Sequence, residues 1–150
     1  MIMKVLLLFL TAVIMGGCSP ATGDDTEAKE AARAWADAYF NCDYNDAAQY
    51  ATPESRKWLA YAATNTTEEE LQRLNDAGGA TVSTNDGFEA ANDTLRQVTV
   101  TVSNALMLDG QGLSAPAANE VVCRVTVVRR EGRWMVRMEG LPQSGMQSRD

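Results

Sequence analysis

The chain has 150 residues, of which 45% are apolar, 22% are charged and none is histidine. This composition is typical of one globular domain and excludes collagen-like, low-complexity and wholly disordered proteins. The lack of histidine excludes any mechanism or metal site that needs an imidazole. The formal net charge of −7, without a basic stripe, argues against nucleic-acid binding.

The beginning of the chain has the pattern of an export signal. One positive charge, Lys4, precedes an apolar run from Val5 to Met15. As a helix, this run would cross about half of the ~30 Å hydrocarbon layer, which is too short for a stable span but typical of a signal peptide. The next residues, Gly16-Gly17-Cys18, resemble with Met15 the lipobox of bacterial lipoproteins. The alternative is an ordinary signal peptide that happens to contain Cys18.

The lipobox resemblance implies that residues 1–17 are removed as a lipoprotein signal peptide and that Cys18 is lipidated. In that family the cysteine carries a thioether-linked diacylglycerol and usually an amide-linked acyl chain such as palmitate, and several chains make a stable membrane anchor. Ser19, rather than Asp, follows the cysteine, which in the enteric sorting rule implies the outer membrane of a Gram-negative bacterium. Residues 18–24 contain no apolar residue larger than Ala and are predicted to form a flexible tether, with the periplasmic or surface face left open.

Three helices are predicted in the first half of the domain. The first follows the N-cap residues Asp24 and Asp25 and runs for about fifteen residues, with an apolar face at helical spacing. Thr52-Pro53-Glu54 has the pattern of a helix start, with Thr as the cap and Pro at the first helical position. Thr66-Thr67 opens the third helix, and Gly78-Gly79 ends it. The apolar face of the first helix consists of Ala28, Ala32, Trp35, Tyr39 and Cys42.

The second half alternates apolar and polar residues, which is typical of strands. A moderate strand is predicted from Ala80 to Thr84 and a stronger one from Leu95 to Leu108. A third strand, around Cys123, continues through a tight turn at Glu131-Gly132 into a fourth, around Trp134. Helices followed by an antiparallel meander predict an α+β domain over residues 25–142, with a polar tail at 143–150.

Short motifs in this order resemble the nuclear-transport-factor-two-like cone, also called the cystatin-like or SnoaL-like fold. The resemblance implies N-terminal helices packed into the concave face of a curved antiparallel sheet. Many small lipoproteins with this domain have no assigned function. The motifs are Ala31 to Tyr39, Asp43-Tyr44-Asn45-Asp46-Ala47-Ala48-Gln49-Tyr50, Thr52-Pro53-Glu54-Ser55 and Gly132-Arg133-Trp134-Met135-Val136.

Two cysteines remain once Cys18 is assigned to the lipid anchor. An even number in an exported domain favours a disulfide, here between Cys42 and Cys123. Cys42 lies at the end of the first helix and Cys123 in the middle of a strand, so in the cone fold the two could meet. The alternative is a pair of buried free thiols. Two thiolates without histidine are too few ligands for a metal, so no metal site is predicted.

The candidate binding residues are aromatic. A domain of this class often encloses an apolar pocket between helix and sheet, and its predicted lining is Trp35, Tyr39, Trp58 and Trp134. The alternative is a core filled by the same side chains.

Enzymes of this superfamily use an Asp or His base with Tyr or Asp donors. One of Tyr39, Tyr44, Tyr50 and Tyr61 with Asp43 or Asp46 would be the equivalent here. Aspartates in such a turn usually bond their own backbone, however. No catalytic residue and no cofactor is therefore predicted.

Asp93-Thr94-Leu95 resembles an O-glycosylation site of exported proteins in some gut bacteria, which makes Thr94 a candidate; the alternative is a plain turn. Together these observations favour a cell-envelope lipoprotein that presents one non-catalytic domain for small-molecule or protein binding. The alternatives are an interaction module with a filled core and an enzyme of the isomerase or dehydratase type.

Overall fold

The structure is a computed structural model that describes residues 20–106 and 118–142, without the side chains of residues 20–22, 85–87, 118 and 119. The signal peptide, Cys18 and the polar tail lie outside the described residues. No helix among the described residues is long and apolar enough to cross a membrane. The helices are α1 (Pro20–Phe40), α2 (Tyr44–Gln49), α3 (Arg56–Asn65) and α4 (Glu68–Asp76), with a 3₁₀ turn at Pro53–Ser55. The strands are β1 (Thr81–Asn92), β2 (Leu95–Ala105), β3 (Ala118–Arg130) and β4 (Arg133–Val136).

The four strands form one strongly curled antiparallel sheet in the order β1-β2-β3-β4. The predicted fold class, α+β with helices against a curved meander, is confirmed. β1 is longer than the predicted strand, because it continues past Thr84 to Asn92 through a register shift between Thr84 and Phe88. The polar residues between those two positions interrupt the alternation of apolar and polar residues. The sequence pattern therefore ends at Thr84, although β1 resumes its pairing with β2 at Phe88.

The inner face of the sheet is a row of valines, and α1 lies against it. These side chains are buried, as are Ala28, Ala32, Trp35 and Tyr39 on the facing side of α1. α1 contacts all four strands, so the predicted apolar face of this helix is the one that forms the core. The paired positions of the inner face are Val98 with Val125, Val100 with Cys123, and Val102 with Val121.

α1 begins at Pro20, earlier than the predicted N-cap residues, and residues 20–24 are helical although a flexible tether was predicted there. The acidic pair that was expected to cap the helix binds the sheet instead. Asp25 Oδ1 accepts from Arg96 Nε at 3.0 Å, and Asp24 Oδ2 accepts from Arg129 Nη1 at 3.2 Å.

Hydrogen bonds fix the direction of α1 along the sheet. Its first turns bind the start of β2 and the end of β3 through the two Asp–Arg pairs. Beyond its last turn, the Asn41 amide donates to Ala80 O at 3.1 Å and accepts from Ala80 N at 2.9 Å, just before β1. We call the end with the β1–β2 and β3–β4 turns the hairpin end, and the end near Asn41 and Ala80 the far end.

The segment after α2 is joined to β4 by a buried hydrogen-bond cluster, which we call the Ser55 cluster. Ala51 forms a parallel bridge with Val136, where Thr52 N donates to Val136 O at 2.9 Å. Ser55 Oγ accepts from Met138 N at 2.8 Å and lies 2.7 Å from Thr52 Oγ1. Thr52 and Pro53 occupy the predicted N-cap and first positions, but of a 3₁₀ turn, and the Thr52 hydroxyl bonds Ser55 rather than a backbone N–H.

Candidate functional site

Four aromatic rings meet where α1 gives way to α2, and we call Trp35, Tyr39, Phe40 and Tyr44 the aromatic cluster. Trp35 and Tyr39, one helical turn apart, are stacked with centroids 5.0 Å apart and 18° between their planes. Phe40 and Tyr44 meet the Tyr39 ring edge-on, at 5.1 and 5.6 Å. These are the favoured geometries for aromatic pairs. The cluster lies between the helices and the inner face of the sheet, which is where the sequence predicts a ligand pocket or a filled core.

A chain of hydrogen bonds leads from the aromatic cluster toward α4. Thr66 Oγ1 donates to Ala62 O at 2.8 Å. The Tyr44 hydroxyl, 2.8 Å away, must therefore donate to Thr66 Oγ1. The neighbouring Glu70 is buried and accepts from Thr67 N at 2.9 Å, completing the predicted capping box of α4. Tyr44 is thus half-buried against the core, and its hydroxyl connects the start of α2 to the residue that follows α3.

The phenols and thiols of this region are held in their neutral forms. Burial raises the pKa of both Tyr39 and Tyr44 well above that of a free phenol. Burial also raises the pKa of the Cys123 thiol to about 11 and raises that of Cys42, although the hydrogen bond between Cys42 and Tyr44 opposes the latter shift. Because thiolates and phenolates are the nucleophilic and basic forms, these groups are donors and packing surfaces at neutral pH.

Cys42 and Cys123 are free thiols in this structure, and the disulfide between them stays a prediction. Cys42 lies two residues beyond α1 with a left-handed backbone (φ 62°), and its side chain is hydrogen-bonded to Tyr44. Cys123 is buried in the valine row of β3. The fold brings both thiols near the Tyr39 hydroxyl, whose pKa they affect.

Two buried indole N–H groups have no hydrogen-bond partner within the described part of the chain. They belong to Trp35, which is 2% exposed, and Trp134, which is 7% exposed. Leaving a buried donor unsatisfied costs about 1–3 kcal/mol. Trp35 Nε1 belongs to the aromatic cluster, so this region contains a donor that an acceptor atom of a bound molecule would satisfy.

The four predicted lining residues do not all meet. Trp35 and Tyr39 are stacked, whereas Trp134 lies at the hairpin end, 5.1 Å under the guanidinium of Arg96. Trp58 is half-buried on α3, beside the ammonium group of Lys57. The helical spacing of Trp35 and Tyr39 correctly predicted that these two residues meet. Nothing in the sequence indicated where Trp58 and Trp134 lie in the fold.

Sequence reasoning also missed Arg96. Its side chain is buried on the inner face of the sheet, where it pairs with Asp25 and covers Trp134. Arg96 lies two residues before Val98 on β2, so it continues the inward-facing row of Val98, Val100 and Val102. This spacing was the feature of the sequence that could have indicated its burial. A buried charge is maintained only with a partner, so Asp25 stabilises this end of the core.

The other polar candidates have local roles. Asp43 is the N-cap of α2 and accepts from Asp46 N at 3.2 Å, as expected for a turn residue. Thr94 is exposed in the β1–β2 turn, where its hydroxyl and its N–H bond Asn92 Oδ1 at 3.1 and 2.9 Å. Its glycosylation stays a prediction, on a side chain that is accessible.

The raised phenol pKa values predict that the domain loses stability in alkali. A phenol whose folded pKa is raised stabilises the fold fully below the unfolded value of about 10, and this contribution is lost as pH rises through the folded pKa. For the buried Tyr39, the free energy of unfolding should fall by up to about 1.4 kcal/mol per pH unit above pH ~10. The half-buried Tyr44 adds a smaller decrease because solvent screens it. Denaturant unfolding measured between pH 8 and pH 11.5 tests this.

Substitution of single phenols provides the control for the alkaline experiment. Tyr39→Phe should flatten the decline above pH 10, because the buried group that resists ionisation is gone. Tyr61→Phe removes an exposed phenol and should leave the decline as it is. Equal slopes in all three proteins would contradict the assignment to Tyr39.

Comparison with known proteins does not name a family. No family model matches the sequence, and no curated protein matches it. Among solved structures, a similar chain is a candidate polyketide cyclase from Xanthomonas campestris pv. campestris, 16% identical, with 77% of this chain and 93% of that chain covered and a TM-score of 0.39. At this identity and TM-score the likeness carries no conclusion about ligand or activity. The fold is therefore assigned from its own helices and curled sheet.

Proposed function

We propose that this protein is a lipid-anchored envelope protein whose single α+β domain binds a small molecule at the aromatic cluster without chemical turnover. The ligand would have an apolar body that packs on the Trp35–Tyr39 stack and an acceptor oxygen for Trp35 Nε1. The observation that carries the proposal is this buried indole N–H. Trp35 is 2% exposed, and its N–H has no hydrogen-bond partner in the described chain. Ligand sites typically combine mostly apolar walls with a few such polar groups.

The neutral state of the cluster supports binding rather than catalysis. A general base has to be deprotonated near the working pH, whereas burial holds the phenols of Tyr39 and Tyr44 and the Cys123 thiol in their protonated forms. Asp43, a candidate base in the sequence, is engaged as the cap of α2. Neutral hydroxyl and indole donors suit recognition of a carbonyl or ether oxygen.

The ligand proposal is tested by purifying the protein from its native host and identifying small molecules in an organic extract by mass spectrometry. Trp35→Phe keeps a ring against Tyr39 but removes the donor, so we expect about 5- to 10-fold weaker retention of the ligand, the value of one hydrogen bond. Trp58→Phe, outside the aromatic cluster, is the matched control and should retain it fully. Wild-type protein that carries no small molecule would instead favour a filled core that acts through its surface.

The membrane anchor is tested separately. The apolar run that ends in Gly16-Gly17-Cys18 supports lipidation, so cells fed an alkyne fatty acid should incorporate the label into the wild-type protein and not into Cys18→Ala. The wild-type protein should also fractionate with membranes. Equal labelling of the two proteins would contradict lipidation at this residue.

A further inference from the structure

We infer that the domain stands on the lipid surface with its hairpin end toward the bilayer and its aromatic cluster toward the aqueous phase. This inference rests on the proposed lipid anchor at Cys18. The partner surface is that of phospholipid headgroups, and the contacting elements are the β1–β2 turn at residues 92–95 and the β3–β4 turn at residues 130–133. The inference follows from the length of chain between the anchor and the first turns of α1.

The distance from Cys18 to the body of the domain is short. Only Ser19 separates Cys18 from Pro20, the first residue of α1 as described, and each of the two Cα-to-Cα steps between them adds at most about 3.6 Å. From Pro20 to Asp24 the helix rises by about 1.5 Å per residue. The Cα atom of Asp24 is therefore within about 13 Å of that of Cys18, whatever path the intervening residues take.

The start of α1 is bound to the sheet on two sides. Asp24 binds Arg129 at the end of β3, and Asp25 binds Arg96 at the start of β2. The Arg96 side chain is 9% exposed and stacks on Trp134, so this pair is part of the core. Lifting α1 away from the sheet would leave the buried guanidinium unpaired, which is strongly unfavourable. A short anchor attached to α1 therefore holds the hairpin end of the whole domain near the lipid.

The opposite end must then point away from the membrane. β2 has eleven residues, so at ~3.4 Å per residue it places the far end more than ~30 Å beyond the hairpin end. The far end contains Asn41, which binds Ala80, and the polar chain from Tyr44 to Thr66. A ligand for the aromatic cluster would consequently approach from the aqueous phase, rather than from within the bilayer.

Charge does not favour or oppose this orientation strongly. At the hairpin end, the positive and negative charges within each of three ion pairs cancel. The turn residues between these pairs include one acidic residue, Glu131, and one basic residue, Arg133. The orientation should therefore be the same on neutral and on anionic lipid. The three pairs are Arg96–Asp25, Arg129–Asp24 and Arg130–Glu54.

Fluorescence quenching by labelled lipid tests the orientation. The full-length lipidated protein is reconstituted into phosphatidylcholine vesicles that contain a headgroup-nitroxide phosphatidylcholine. A fluorophore is attached in Arg133→Cys, at the exposed β3–β4 turn, or in Ala77→Cys, at the exposed end of α4. We expect at least about threefold stronger quenching of the probe at residue 133. The unsubstituted protein is the control for labelling of Cys42 and Cys123.

An insertion tests whether the short connection is the cause. Ten Gly/Ser residues placed between Ser19 and Pro20 should make the two probes nearly equal, because such a linker is a flexible coil. A helical insertion of the same length is semi-rigid and should lower the quenching of both probes. Equal quenching without any insertion, or stronger quenching at residue 77, would overturn the orientation.

Flotation of the vesicles in a density gradient distinguishes a failure of the proposed lipid anchor from a failure of the proposed orientation. Cys18→Ala protein should not float with vesicles, whereas the wild-type protein should. Wild-type protein that does not float would overturn the lipid anchor, and the orientation with it. Wild-type protein that floats with equally quenched probes would overturn the orientation alone.

Discussion

Trp35→Ala is expected to lower the free energy of unfolding by about 3–5 kcal/mol, the range for removal of a large buried aromatic side chain. Trp35 is 2% exposed, stacks on Tyr39 and lies in the middle of α1, the helix that contacts all four strands. The total free energy of unfolding of a domain of this size is about 5–15 kcal/mol. The midpoint of thermal unfolding should therefore fall by roughly 10 °C or more. Calorimetry or circular dichroism during heating measures this.

Two further substitutions separate packing from hydrogen bonding at this position. Trp35→Phe keeps an aromatic ring beside Tyr39 and removes the unsatisfied N–H, so its loss of stability should be much smaller than that of Trp35→Ala. Trp58→Ala removes an indole of the same size from a half-buried position and should also cost less. A nearly neutral Trp35→Ala would show that the inner face of α1 has been assigned wrongly.

Ser55→Ala should destabilise the domain by about 2–4 kcal/mol although it removes a single oxygen atom. Ser55 Oγ accepts the buried N–H of Met138 and is the partner of the buried Thr52 hydroxyl. The substitution leaves the buried N–H of Met138 without its acceptor, which costs about 1–3 kcal/mol, and it removes one of the two side-chain partners of the Thr52 hydroxyl, the other being Glu54. Urea denaturation with an unchanged m-value would assign the loss to stability rather than to a change in compactness.

The neighbouring residue provides the matched control for the Ser55 cluster. Glu54 is exposed and pairs with Arg130, which together with its own backbone N–H lowers the pKa of its carboxyl group. Exposed pairs of this kind contribute little, so Glu54→Gln should hardly change the unfolding midpoint at pH 7. Similar effects of Ser55→Ala and Glu54→Gln would contradict the role given to the buried hydroxyl.

The sequence predicted the architecture well because periodicity reports burial directly. The spacing of Ala28, Ala32, Trp35 and Tyr39 identified the buried face of α1, and the alternation around Val98 and Cys123 identified the inner face of the sheet. Boundaries were predicted less well. Asp24 and Asp25 are good N-cap residues, so local propensity favoured a start there, but their partners are arginines more than seventy residues away.

The candidate site could be predicted only in part, because it depends on contacts between distant elements. Trp35 and Tyr39 meet through helical spacing, which a sequence contains. The Tyr44–Thr66 bond and the burial of Arg96 depend on how α3 and β2 lie against α1. Thr52-Pro53-Glu54 was correctly interpreted as a helix start, but the sequence did not indicate that the Thr52 and Ser55 hydroxyls bind one another or that Ser55 binds Met138.

The two edges of the sheet have a consequence for association between copies of the domain. At the β4 edge, Val136 N donates to Tyr50 O and Val136 O accepts from Thr52 N, so this part of the edge is already paired. At the β1 edge, register shifts at Thr84/Phe88 and Ala90/Asn92 interrupt the regular row of backbone groups. Flat, unpaired edges are templates for strand addition between molecules, and covered or bulged edges are not. The sheet therefore offers neighbouring copies little regular backbone with which to aggregate, also at the high local concentration that the proposed lipid anchor would produce.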